Sequence, residues 1–156
     1  MVRHIPGDSQ RIEQIINRLG SVEVQVGFFE HSRYEDGTPV AYVATIQEKG
    51  VIQKGIPPRP FFQPAVTEGE KGNRQVIAQA VRNAFRGDEL ATGFELLGGK
   101  VVGDIQKKIS EVTTPPLKPA TIAARARRHS QGLASTKPLV DTGQMLAAVT
   151  YKVEGA

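Results

Sequence analysis

Apolar residues recur along this chain at two spacings, and the switch between them predicts most of its elements. Ile12, Ile15, Ile16 and Leu19 fall at i, i+3, i+4 and i+7, with Asp8 or Ser9 able to cap and Gly20 able to stop, so the first element is an amphipathic helix. Val22, Val24, Val26 and Phe28 then alternate with Glu23, Gln25 and Gly27, the period of a half-buried strand. Asp36-Gly37 marks a turn. Thr38-Pro39 resembles an N-cap and first helical position, opening a helix that runs to Gly50. Tyr42, Val43 and Ile46 suit a strand equally well.

Helical spacing returns near Pro64. Val76, Ile77, Ala80, Val81, Ala84 and Phe85 form a stripe that Gly87 interrupts, with Gly69 and Gly72 weakening the first turns. From Asp88 to about Thr113, Leu90, Phe94, Leu97, Val101, Ile105 and Val112 share an arc of about 80° on a helical wheel. Lys108 falls inside that arc, where its stem can snorkel. The Gly98-Gly99 pair costs this helix roughly 2 kcal/mol relative to alanine, so tertiary packing has to hold it. Thr114-Pro115-Pro116 ends it, and 119–128 has the composition of a short helix. HSQGLASTKP after it has the composition of a mobile loop. Asp141-Thr142-Gly143-Gln144 has capping-box spacing, and Val149, Tyr151 and Val153 alternate as a closing strand. The order predicts an α+β fold: long amphipathic helices packed on one face of a small antiparallel β-sheet, with extended loops, in a single domain spanning 1–156.

Between the two halves lies VIQKGIPPRPFFQPAV, where Pro57, Pro58, Pro60 and Pro64 surround Arg59, Phe61 and Phe62. Prolines exclude a helix or central strand, and the phenylalanines exclude a solvated linker, so the stretch is rigid, extended and pressed against something. Two readings fit: a core plug, or a presented surface offering phenylalanine and arginine anchors to a partner.

Composition narrows the function. With 156 residues, 39% of them hydrophobic, the chain can bury a core unaided; having no cysteine, it offers neither thiol catalysis nor a cysteine zinc site. The N-terminus lacks an apolar leader and no run approaches a membrane span, so a soluble product of the cytoplasm is expected. The net charge of +4 is uneven: no acid lies between Glu111 and Asp141, where Lys118, Arg125, Arg127, Arg128 and Lys137 stand. That basic loop, about 114–140, suits phosphate contact, though it has no aromatic residue to stack on bases. His4, His31 and His129 show no metal spacing, and no phosphate loop or nucleophile elbow occurs. An acid–base site of His31 with Glu30, Glu35 and Asp36, and the carboxylates Asp104 and Glu111 on one helix flank, are the catalytic arrangements to weigh, and solvated loop and helix-face residues explain them better. Neither an enzyme nor a cofactor is expected.

Several stretches in order resemble the tailed-bacteriophage family of tail-completion, or head-to-tail joining (neck), proteins. They are VEVQVGFF, IPPRPFFQPAV, GDIQKKI (Gly103 to Ile109), PATIA (Pro119 to Ala123) and PLVDTGQML (Pro138 to Leu146), the last leading into a strand. The resemblance implies a virion structural protein, assembled in the host cytoplasm, that forms a homo-oligomeric ring, commonly of six copies, at the head–tail junction. The ring joins the tail tube to the head connector and surrounds the channel through which genomic DNA passes. It implies an interface formed by Ile56, Pro57, Pro58, Arg59, Pro60, Phe61 and Phe62, and DNA-channel contacts from Lys118, Arg125, Arg127, Arg128 and Lys137. Related folds serve as tail terminators; a small basic nucleic-acid-binding module is the alternative from another class.

Overall fold

A computed structural model describes residues 8–128 and 135–155. Its centre is a pair of long helices, α3 (Phe62–Arg86) and α4 (Leu90–Glu111), which follow α1 (Asp8–Ser21), β1 (Glu23–Phe28) and α2 (Val40–Lys49). After them come α5 (Pro119–Arg128), α6 (Gln144–Ala147) and β2 (Val149–Glu154). The two strands pair antiparallel, Glu23 opposite Glu154 through Phe28 opposite Val149, so the sheet joins the two ends of the described chain. One face of that sheet lies on α4, which gives the α+β arrangement that the periodicity predicts.

α3 and α4 run antiparallel, turned by Gly87 at φ 121°. Glycine makes their close approach possible. A Cβ on Gly93 would land inside the methyl group of Ala80, and one on Gly69 would sit 2.9 Å from the Asp104 carboxylate. Gly98 has the same role toward the sheet, because the Tyr151 ring occupies the space a side chain would need; nothing lies within 4 Å of a Cβ on Gly99. Glycines that weaken a helix by propensity therefore strengthen it by contact. Gly98→Ala is expected to lower stability by about 1–3 kcal/mol through overpacking against Tyr151, while Gly99→Ala is neutral or stabilising, as thermal unfolding of the two variants would register.

The same tight crossing changes which side of α3 faces inward. Ala65, Ala80 and Ala84 are buried, whereas Ile77 and Phe85, expected in the apolar stripe, are exposed. Only small residues fit where the helix axes come this close, so bulk is turned outward. In α4, Leu90, Phe94, Leu97 and Ile105 are buried as the wheel predicts and Val101 is half-buried. Ile109 is also buried, while Val112 lies just beyond the helix end. Lys108 does snorkel: its ammonium reaches Glu68 on α3 at 2.7 Å, a bond that raises its pKa above the ordinary value.

Two apolar clusters share α4. Leu90, Phe94 and Leu97 pack with Ile15 and Ala84, and Ile105 and Ile109 pack with Val40, Phe61, Met145 and Val149. The remaining differences from the periodicity lie at helix starts. α2 begins at Val40 with Pro39, not Thr38, in the cap position, and the Thr38 N–H is held by Asp36 Oδ1 at 2.9 Å in the turn before it. No capping box forms at 141–144: Gly143 caps α6 at φ 78°, and Asp141 turns its carboxylate to arginines instead. Of the loop HSQGLASTKP, residues 129–134 lie outside the described residues.

Candidate assembly site

The proline stretch is fastened from three directions. Prolines supply carbonyls but no N–H, so the Arg59 N–H is one of the few backbone donors there, and it goes to Gln47 O on α2 at 2.7 Å. The Arg59 side chain is 5% exposed. Its Nε donates to Pro115 O at 2.8 Å, Nη2 to Pro116 O at 3.2 Å and Nη1 to Gln47 Oε1 at 3.2 Å. A planar fork of donors suits such a set of carbonyls, and Pro115-Pro116 presents them because its own geometry is fixed. Burial, followed by the charge of nearby Arg125, lowers the Arg59 pKa from its ordinary value.

The next residues start α3, whose first N–H groups lack a partner within the helix. Phe61, in the cap position, supplies no side-chain oxygen. Glu48 on α2 supplies it from outside: Oε2 accepts from the N–H groups of Phe61 (2.7 Å) and Phe62 (2.9 Å), and Oε1 from that of Gln63 (3.1 Å). A carboxylate here also meets the positive end of the helix dipole. Glu48→Ala is expected to cost about 1.5–3 kcal/mol and to speed amide exchange at 61–63. Glu48→Gln, which keeps the shape but loses the charge, should recover part of that.

The two phenylalanines divide their tasks. Phe61 is 1% exposed and meets Phe28 edge-on, with centroids 6.2 Å apart at 83°. Phe62 is half-buried and, with Phe61, borders a groove of about 460 Å³ between β1 and α2. Of the expected interface residues, Arg59 and Phe61 are thus buried inside the subunit, Ile56, Pro57 and Phe62 are partly covered, and Pro58 and Pro60 are exposed. In this subunit Arg59 and Phe61 are internal fastenings and do not form a presented surface.

The basic segment separates in the same way. Arg125, expected beside DNA, is 7% exposed. Nη1 donates to the carbonyls of Ser135 (3.0 Å), Lys137 (2.8 Å) and Val140 (3.0 Å), and Nη2 donates to Pro138 O at 3.0 Å. Its Nε lies 3.5 Å from Asp141 Oδ1. A guanidinium buried and engaged in this way faces the protein interior, so Arg125 is a peg that ties α5 to the 135–141 loop. Arg128 pairs with Asp141 at 2.9 Å while remaining largely exposed. Lys118, Arg127 and Lys137 are the members of the expected set that stand in solvent without that tie. The run Arg125-Ala126-Arg127-Arg128 is therefore divided between the inside and the outside of the subunit.

Between the Tyr34–Thr38 turn and the 138–143 loop with the start of α6 lies the larger groove, about 800 Å³. Val43, Leu139 and Met145 line it together with Arg125, Arg128 and Asp141, and Glu35 and Asp36 stand exposed at its edge. The Thr38 N–H holds the Asp36 carboxyl below its usual pKa; burial, with Asp141 and Asp36 nearby, raises that of Tyr34. Gln144 fastens the far side by donating from its amide to Arg33 O at 2.7 Å. His31, weighed as part of an acid–base site, stacks on Phe29 at the surface, with centroids 6.3 Å apart at 16°. Among the described residues no group of three or more acids and histidines is placed to hold a metal, and no helix is long and apolar enough to cross a membrane.

Sequence reasoning missed Glu48, Gln47 and Asp141 as fastenings. Glu48 caps residues 13 to 15 positions away and Arg59 bonds carbonyls 56 and 57 away, so no local pattern signals either. A scan against protein-family models, a search of curated proteins and a search of solved structures each return no match for this chain.

Proposed function

We propose that this chain is a structural subunit of a tailed-phage virion, forming a homo-oligomeric ring at the head–tail junction. There it joins the tail tube to the head connector around the DNA channel. One observation carries the reading: the stretches on which the resemblance rests are tied to one another. Phe28 of VEVQVGFF meets Phe61 of IPPRPFF edge-on, Ile105 and Ile109 of GDIQKKI share a buried cluster with Phe61 and with Leu139 and Met145 of PLVDTGQML, and Gln106 donates to Leu146 O at 3.1 Å. Arg125, two residues past PATIA, is held by the Pro138 and Val140 carbonyls. Motifs from Val22 to Leu146 thus meet in one region of long helices, sheet and loops. Such a frame suits a subunit whose work is to hold a shape and meet neighbours, not to turn over a substrate. The tail-terminator role uses the same kind of ring and stands beside tail completion within this proposal.

The test is direct. Purified protein mixed with tail tubes lacking it is expected to add as a ring of discrete mass, visible end-on by electron microscopy. A chain that remains monomeric at all concentrations and never binds tubes or connectors would overturn the reading. The nucleic-acid module predicts instead salt-sensitive duplex binding by the isolated monomer that depends on Lys118 and Arg127.

A further inference from the structure

Between α2 and the proline stretch the chain closes a small loop on itself. Val51 and Ile56 bridge antiparallel, the Val51 N–H donating to Ile56 O at 2.8 Å and the Ile56 N–H to Val51 O at 3.1 Å. Inside that bridge a 3-10 turn, Ile52–Lys54, is held by the Lys54 N–H on Val51 O (3.0 Å) and the Gly55 N–H on Ile52 O (2.9 Å). Gly50 and Gly55 take φ 71° and 63°, and a Cβ at Gly50 would lie 2.6 Å from the Pro58 nitrogen. The loop is therefore held in one shape by its own backbone and by the prolines after it.

What this rigid loop displays is Ile52, 90% exposed and the most exposed large apolar side chain among the described residues. An apolar anchor on a preordered loop loses little conformational freedom when a partner covers it. Its surroundings are basic. Lys49 closes α2, Lys54 ends the turn, and the Lys118 ammonium comes within 3.2 Å of where a Gly55 side chain would begin.

The same chain carries a groove with an acidic edge. The 800 Å³ groove has Val43, Leu139 and Met145 in its lining, Arg125 and Arg128 paired with Asp141 on one side, and the exposed carboxylates of Glu35 and Asp36 at its edge. An apolar knob among lysines is complementary in charge to the Glu35–Asp36 edge of that groove, while Asp141 offsets part of the charge of Arg125 and Arg128 on the other side. We propose that the Ile52–Lys54 knob of one copy docks in the Tyr34–Met145 groove of a second copy. Knob and groove are different patches, so the contact is heterologous, and its repetition closes a ring or extends a filament. This inference rests on the self-association proposed above and moves the contact from Arg59 and Phe61 to the loop just before them.

Charge reversal with rescue tests it. Wild-type protein assembling on tail tubes serves as the reference, so failure of the self-association reading shows in the wild type alone and overturns both proposals. Ile52→Asp, and Lys54→Glu combined with Lys118→Glu, are each expected to weaken assembly at least roughly tenfold with melting unchanged. Adding Glu35→Lys and Asp36→Lys to the lysine-reversed chain should restore assembly, because each reversed knob then meets a reversed groove. Reversed variants that assemble like wild type, or a combined variant that stays defective while melting normally, would overturn the knob-and-groove contact and leave the ring reading standing. The chain has no cysteine, so a second measurement is independent of charge. Gln53→Cys and Thr142→Cys chains, mixed during assembly and oxidised, should give mixed cross-linked dimers; assembled rings with no mixed cross-link would count against the contact.

Discussion

Replacing Phe61 with alanine is expected to cost about 3–5 kcal/mol of stability, the range for removing a fully buried aromatic ring. For a chain of this length the loss corresponds to a fall in Tm of roughly 10 °C or more. The ring is 1% exposed and belongs to the same buried cluster as Val40, Ile105 and Ile109, with Phe28 edge-on to it, so its removal leaves a cavity shared by α2, α3, α4 and β1. Phe62→Ala is the matched control: its ring is half-buried, and the expected loss is about half as large. Thermal or denaturant unfolding of the two variants separates the readings of the proline stretch. A Phe61→Ala chain that melts like wild type yet fails to assemble would make the ring an interface anchor and contradict its place in the core.

The second large effect belongs to Arg125. Arg125→Ala removes the donor shared by the carbonyls of Ser135, Lys137, Pro138 and Val140 and takes one arginine from Asp141. Breaking a buried charged contact by deleting one partner costs about 3–5 kcal/mol, because the groups left behind are desolvated and unpaired. The loop at 135–141 should then exchange its amides and admit proteases faster, since this peg fastens α5 to it. Arg125→Lys recovers little, as a single ammonium cannot span four carbonyls in a fork. Arg127→Ala, at an exposed position two residues away, is expected to change stability by no more than about 0.5 kcal/mol. If Arg125→Ala instead left melting intact and reduced duplex affinity, the residue would belong to a nucleic-acid surface after all.

The fold was legible where information is local. The 3.6 spacing in α1 and α4, the alternation in β1 and β2, and stops at Gly50, Gly87 and Pro115-Pro116 act within a few residues, and they position the elements to within a residue or two. The candidate site was legible as a place but not as a set of roles. The prolines do mark a rigid extended segment, yet Arg59 and Arg125, read as surface groups, are buried, and Glu48, unnoticed in a helical stretch, caps the longest helix.

Local pattern also misjudged the glycines. Gly69 and Gly98 look like weaknesses until Asp104 and Tyr151 are brought against them, and the bulky Ile77 and Phe85 look like core until α3 crosses α4 too closely to admit them. Apart from α2, whose residues suit a helix or a strand, the sequence by itself determined the elements, their order and the rigidity of the proline stretch, because hydrophobic period and backbone restriction are properties of neighbouring residues. Only the tertiary structure decided which charges are pegs, which glycines are contacts and which isoleucine is left in the open. An arginine has the same neighbours in sequence whether it is solvated or buried, and what separates the two is the set of carbonyls that the fold delivers from far along the chain.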